Sequence, residues 1–133
     1  MGRVFFNTRK NIDKLTGAYT VLATDTGKDF ILNATGGGAI TLPSVANMGE
    51  GWNCRFTVGT AFTTNWTIGA PASTLQGGVN ELANTSTGLV IINGTTLTLV
   101  YTSGTVGDFY ELMCDGTKIY VTGSCAVDNA ATV

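Results

Sequence analysis

The triplet Asp25-Thr26-Gly27 comes closer to a catalytic arrangement than any other stretch of this chain. A turn-borne aspartate can hydrolyse an amide if a second carboxylate lies near enough to share its proton. With one triplet per chain, that second carboxylate would have to come from another copy. The flanks do not suit this chemistry. A dyad aspartate of that kind follows an apolar residue and its glycine precedes alanine, whereas Thr24 and Lys28 stand here. Asp-x-Gly between two strand patterns is also the form of an ordinary hairpin turn. Other chemistries fail sooner. The chain has no histidine, which excludes Ser-His-Asp and Cys-His nucleophiles and histidine-ligated metals. Gly36-Gly37-Gly38 has no Gly-Lys-Thr behind it to make a phosphate loop. Asp25 and Asp29, with Lys28 beside them, make no calcium loop. Asp108 and Glu111 fall on opposite faces of one strand and cannot flank a glycosidic bond. Trp66 beside Asn65 offers a sugar-stacking platform, although a partly buried aromatic at a strand start is the commoner use of such a residue. The reading is a protein that is not an enzyme and holds no cofactor and no metal.

The elements that would have to position any site are short strands. The chain has 133 residues, the length of one domain, and is 44% hydrophobic, which suffices for one core. Only 12% of residues are charged, about half the usual share of roughly 25%. Threonine, glycine and asparagine take over as the polar residues, at 23, 18 and 10 copies. Threonine suits strands, and glycine and asparagine suit tight turns. A net charge of −2 argues against a nucleic-acid partner bound by field strength. The longest apolar stretch, residues 89–92, is too short to cross a bilayer, so no membrane partner is expected. Cys54, Cys114 and Cys125 cannot all pair within one chain. No sustained apolar run follows the basic residues of the start, so free thiols made in a reducing cytoplasm are expected. Cys54 and Cys114 fall on core-facing positions.

Residues 1–17 differ from the rest. They carry Arg3, Arg9, Lys10 and Lys14 against Asp13 alone, a net +3 that leaves −5 for the remaining 116. This reads as an extended N-terminal arm ahead of a domain over residues 18–133. Arg3, Arg9, Lys10 and Lys14 would meet acidic groups of a partner, and Phe5 and Phe6 would anchor the contact. A frayed terminus, or an edge strand with solvated charges, is the plainer alternative.

From residue 18 onward, strand patterns alternate with turn residues. Residues 52–58 make the cleanest strand, with Trp52, Cys54, Phe56 and Val58 pointing one way and Asn53, Arg55 and Thr57 the other. Residues 71–84 read as a loop, residues 44–48 as one helical turn, and Asn93-Gly94 as a hairpin signal. Asp115-Gly116 reads as a two-residue hairpin pairing Cys114 with Thr117, Leu112 with Ile119 and Tyr110 with Val121. One face of that hairpin is apolar throughout. The other carries Phe109, Glu111 and Met113 opposite Thr122, Tyr120 and Lys118, half apolar where a solvated sheet would be polar. Such a face either packs under a loop of the same subunit or forms a subunit interface; in the second reading Phe109, Met113 and Tyr120 are the candidate interface, with Glu111 and Lys118 pairing at its rim. Turn glycines at 94, 104 and 116 have the rhythm of an antiparallel sandwich. The expected fold is all-β, a single β-sandwich of jelly-roll type built from short antiparallel strands.

Several segments resemble small β-rich virion proteins of tailed bacteriophages. They are YTVLATDTGKDFILN from Tyr19, AITLP from Ala39, GWNCRFTV from Gly51, NWTI from Asn65 and GDFYELMCDGTKIYVTG from Gly107. Such proteins recur in an opening Asp-x-Gly-Lys hairpin, an Ile-Thr-Leu-Pro strand and a closing Asp-Gly hairpin, in which Ile119 stands here for the usual tryptophan. The resemblance implies a capsid decoration, or cement, protein. It would be made in the host cytoplasm, sit on the outer surface of the virion, bind the major capsid protein and form a homo-oligomer, expected to be a homotrimer. A tail-fibre or glycan-binding host-receptor module is the alternative. The absence of a long shaft favours decoration.

Overall fold

A computed structural model describes residues 10–83, 88–127 and 131–133. Among the described residues, alternation of apolar and polar side chains produces twelve short strands. These are β1 (Asn11–Leu15), β2 (Tyr19–Thr20), β3 (Lys28–Leu32), β4 (Gly38–Thr41), β5 (Glu50–Val58), β6 (Trp66–Gly69), β7 (Leu75–Glu81), β8 (Leu89–Gly94), β9 (Thr96–Leu99), β10 (Phe109–Asp115), β11 (Ile119–Cys125) and β12 (Ala131–Thr132). One helical turn, α1 (Val45–Met48), is capped by Ser44, whose hydroxyl accepts from the Asn47 N–H.

The strands form two open sheets. The larger has seven strands in the order β1-β3-β5-β10-β11-β7-β8, and the smaller has five in the order β12-β9-β6-β4-β2. From β1 to β6 the chain alternates between them, and each strand lies parallel to the one two places earlier. This half of the molecule is a flattened coil that lays down one strand in each sheet per turn. The later strands close it with antiparallel pairs, β10 against β5 and β9 against β6.

The all-β expectation holds, but the neighbours differ from an antiparallel jelly roll: β1-β3, β3-β5, β2-β4, β4-β6 and β7-β11 are parallel. The reason lies in the connections. From β1 to β6 each strand is followed by a turn that carries the chain across to the other sheet, so the next strand in the same sheet returns in the same direction. Asn93-Gly94 works in the same way. It ends β8 in the larger sheet, and β9 begins in the smaller one, so it makes no hairpin.

Inward-facing side chains from both sheets form one core. Phe30, Phe56 and Tyr110 of the larger sheet and Trp66, Ile68 and Leu97 of the smaller are fully buried. Burial of each phenylalanine or aliphatic side chain among them contributes about 1.5–3 kcal/mol. Phe30 and Phe56, register partners on parallel strands, stack at 5.2 Å between ring centroids. All three cysteines are free and buried. Cys125 ends β11. Burial pushes the Cys54 thiol well above its ordinary range, and burial together with Asp108 and Glu81 pushes Cys125 up to about 12.

Three local expectations change. Residues 75–81, expected in a loop, are β7. Gly77 and Gly78 hide the alternation, and a Cβ on Gly77 would collide with the Val121 carbonyl oxygen of the neighbouring strand. The closing hairpin turns around Gly116 and Thr117, which pairs Cys114 with Ile119, Leu112 with Val121 and Tyr110 with Gly123. Asp115 sets this register, because its Oδ1 accepts from the N–H groups of Thr117 (2.8 Å) and Lys118 (2.7 Å). The shift is two residues along β11, so every side chain keeps its face. Finally, residues 11–15 of the supposed arm are strand β1, in parallel register with β3. Their alternation is concealed because only Leu15 is buried.

The first turn of the coil is held by charge. Asp25 is buried, and its Oδ2 accepts from the Leu22 N–H (2.8 Å) and the Tyr19 hydroxyl (3.1 Å). Lys28 Nζ lies 2.9 Å from Asp25 Oδ1 and 2.7 Å from Asp13 Oδ2. Burial alone would raise the Asp25 carboxyl, but the Leu22 N–H, the Lys28 ammonium and the Tyr19 hydroxyl outweigh it and hold the group below its ordinary 3.8. The unfolded chain therefore binds this proton at higher pH than the folded one. The stability this group supplies is complete at neutral pH and is lost as pH falls below 3.8 toward the lower folded value. Asp25→Asn should cost about 2 kcal/mol at pH 7. It should also shrink the loss of stability between pH 5 and pH 2, measured by urea unfolding across that range. An unchanged acid dependence would contradict this role.

Candidate functional surface

The outer face of the larger sheet carries the outward-parity side chains of its strands. One in-register row runs Ile12, Asp29, Arg55, Glu111, Thr122, across β1, β3, β5, β10 and β11. The rows on either side bring Lys14, Ile31, Thr57 and Phe109 together, and Asn53, Met113 and Tyr120. The charges of the central row are paired within the chain. Lys10 Nζ lies 3.0 Å from Asp29 Oδ2, and Arg55 Nη1 lies 3.1 Å from Glu111 Oε1. The Arg55 guanidinium also sits 4.2 Å from the centroid of the Phe109 ring. Around these groups the face forms an open depression of about 490 Å³, bordered by Lys10, Arg55, Glu111, Met113 and Tyr120.

The three expected interface residues share this face. Phe109 is half-buried beneath Arg55, whereas Met113 is 54% and Tyr120 39% exposed. The expected Glu111–Lys118 pair does not form. Glu111 takes Arg55 instead, and Lys118 Nζ donates to the Ser73 carbonyl at 3.4 Å. Of the six expected arm contacts, Lys10 and Lys14 lie at the β1 edge of this face, and Arg3, Phe5, Phe6 and Arg9 lie outside the described residues. Asp29 and Arg55 were missed as site residues. The outward parity of Arg55 was legible, but the parallel alignment of β3 with β5 that sets Asp29 beside it was not.

At one end of the face, Asp115 gathers four donors. Its Oδ1 also accepts from the Thr117 hydroxyl (2.8 Å), and its Oδ2 from the Tyr120 hydroxyl (3.1 Å). The backbone N–H groups of Lys118 and Thr117 hold its carboxyl well below the ordinary range. Its bond with Tyr120 raises that phenol. The ring of Tyr120 is thus tethered to the turn that sets the hairpin register.

The remaining candidates are structural. Asp25 of the Asp-Thr-Gly triplet is buried against Tyr19 and Lys28. Trp66 is fully buried and offers no platform to a sugar, and Asn65 Oδ1 accepts from the Tyr101 N–H at 2.9 Å. A second depression, of about 350 Å³, lies at the corner between β1 and β2. Among the described residues, no group of three His, Cys, Asp or Glu could hold a metal ion, and no helix is long and apolar enough to cross a membrane.

The tether predicts a spectroscopic result. Asp115→Ala should return the Tyr120 phenol from its raised value toward the ordinary 10.0, followed by NMR titration of the Tyr120 ring. An unmoved titration would show that the bond does not hold in solution. Comparison of the chain with protein-family models, with curated proteins and with solved structures finds no match.

Proposed function

We propose that this chain is a structural protein of a bacteriophage virion that binds the outer surface of the capsid as a homo-oligomer and carries out no catalysis. The observation that supports this best is the mixed outer face of the larger sheet, where Met113 and Tyr120 are exposed beside Phe109 and a row of paired charges. Such a face suits burial against protein: its apolar groups supply the driving force, and its few ions arrive already paired. A decoration protein of this kind needs no chemistry. It binds the assembled lattice of the major capsid protein and not the separated subunits, and so stabilises the shell by mass action. No cofactor enters this scheme.

The tail-fibre or receptor-binding reading draws on a different observation, the parallel coil of β1 to β6. Its first-turn strands, β1 and β2, are edge strands of their sheets, where further turns could stack. Mixing the purified chain with expanded, undecorated heads and, separately, with host cells distinguishes the two. Decoration predicts head binding visible by negative stain, and a fibre module predicts cell binding instead.

The arm is tested at its corrected boundary. Residues 11–15 are β1, so a deletion of residues 2–9 tests the arm while keeping that strand. The truncated chain should keep its β circular dichroism and lose head binding. Full decoration by the truncated chain would place the capsid contact on the sandwich. Met113→Glu should lower the oligomeric mass in sedimentation without changing the β signal, and an unchanged mass would remove the outer face from the subunit contact.

A further inference from the structure

The outward charges of the larger sheet are ordered strand by strand. At the edge, Lys10 and Lys14 flank Ile12 on the outward side of β1. β3 then presents Asp29, β5 presents Arg55 and β10 presents Glu111. Across four adjacent strands the signs run plus, minus, plus, minus. An alternating row with an even number of members becomes its own complement when reversed. The apolar groups follow the same plan, with Ile12 between the two lysines and Phe109 and Met113 on either side of Glu111.

We propose that two copies of this chain pair face to face through these four strands, about a two-fold axis that runs parallel to the strands between β3 and β5. This rests on the reading of the outer face as the association surface and adds to it the partner and the geometry. Rotation about that axis lays β1 on β10 of the partner subunit and β3 on its β5. Asp29 then faces Arg55 of the partner subunit. Glu111 reaches Lys10 and Lys14 of the partner subunit, and Ile12 enters between Phe109 and Met113 of the partner subunit. Tyr120, on β11, lies at the rim. An axis running across the strands would instead lay every strand on its own copy, setting Asp29 against Asp29 and Arg55 against Arg55, and such like-charge juxtapositions are strongly disfavoured. The charge order thus selects one isologous arrangement. The ion pairs set its register, and the buried apolar groups supply most of its affinity. The resemblance to decoration proteins leads one to expect three copies, whereas this face fits two.

A charge swap at exposed positions tests the geometry. Lys10 is 66% and Glu111 52% exposed, and Lys14 is also exposed. One variant, Glu111→Lys, sets lysine against lysine across the proposed contact. The other, Lys10→Glu with Lys14→Glu, sets glutamate against glutamate. The wild-type chain should sediment as a dimer, and each variant alone should self-associate about tenfold or more weakly while keeping the wild-type β signal. An equimolar mixture of the two variants should restore dimers, because both cross-contacts regain opposite signs. A wild-type monomer at high micromolar concentration, a trimer, or variants that dimerise as well alone as when mixed would overturn the proposal. A trimer that Met113→Glu disrupts would overturn the two-fold geometry alone and keep the outer face as the association surface. A dimer that fails to bind heads would overturn the virion reading and leave this pairing intact.

Discussion

The in-register parallel alignment of β1, β3 and β5 is the constraint on which both faces of the larger sheet depend. Side chains alternate with a period of two, so a slip of one residue in β3 or β5 would turn Phe30 or Phe56 into solvent and bury Asp29 or Arg55, and one in β1 would expose Leu15. The register is pinned where the coil crosses between sheets. The Gly27 N–H donates to the Asn53 carbonyl at 2.7 Å, and the Asn53 N–H donates to the Thr26 hydroxyl at 3.2 Å. The Trp52 indole donates to the Ala23 carbonyl at 3.1 Å. Lys28 joins Asp13 of β1 to Asp25 of the turn. Each contact links one turn of the coil to another, so together they fix the spacing that the Phe30–Phe56 stack requires.

The outer face inherits its pattern from that register. Asp29, Arg55 and Glu111 lie on three strands far apart in sequence, and only the strand order β3-β5-β10 makes them a row. The intrachain pairs reduce the cost of burying this row, because each ion already has a partner before any second protein arrives. Phe109 is held under the Arg55 guanidinium and Tyr120 is tethered to Asp115. Both aromatic groups would therefore lose little conformational freedom in the proposed association, which favours binding.

What could be read from residues alone divides along the same line. Parity within a strand was legible: Trp52, Cys54, Phe56 and Val58 are buried as their alternation implied, and Met113 and Tyr120 face outward. The faces of the closing hairpin survived a turn displaced by one residue, because a two-residue shift preserves parity. What failed was everything that depends on which strands are neighbours. Asn93-Gly94 has the local chemistry of a hairpin, yet the chain crosses between sheets there. No local pattern distinguishes those outcomes, since both need the same tight turn. β7 was invisible because its two central residues are glycines, which carry no side chain to alternate. β1 was read as an arm because an edge strand with one buried residue looks like solvated chain. Arg3, Phe5, Phe6 and Arg9 lie outside the described residues, so the arm reading stands on sequence for them alone.

The smaller sheet explains how so few charges can suffice. Its strands β2, β4, β6, β9 and β12 contain no charged residue. Their pairings set Thr20 beside Thr41, Thr67 beside Thr98, and Thr98 beside Thr132. Threonine serves two needs here. Its branched Cβ favours the extended backbone, and its hydroxyl keeps the face wetted without an ion. Cross-strand threonine pairs add a modest stabilisation of their own. With that face solvated by hydroxyls, the charges of the sheets are concentrated on the larger one, where they can carry an order that hydroxyls cannot. A threonine donates and accepts alike and so meets its own copy without penalty, whereas a charge distinguishes like from unlike. In the proposed pairing the two faces would thus separate solubility from recognition. The threonine face tolerates any neighbour, and the charged face, through the sequence of its signs, restricts which orientation of a partner it can accept.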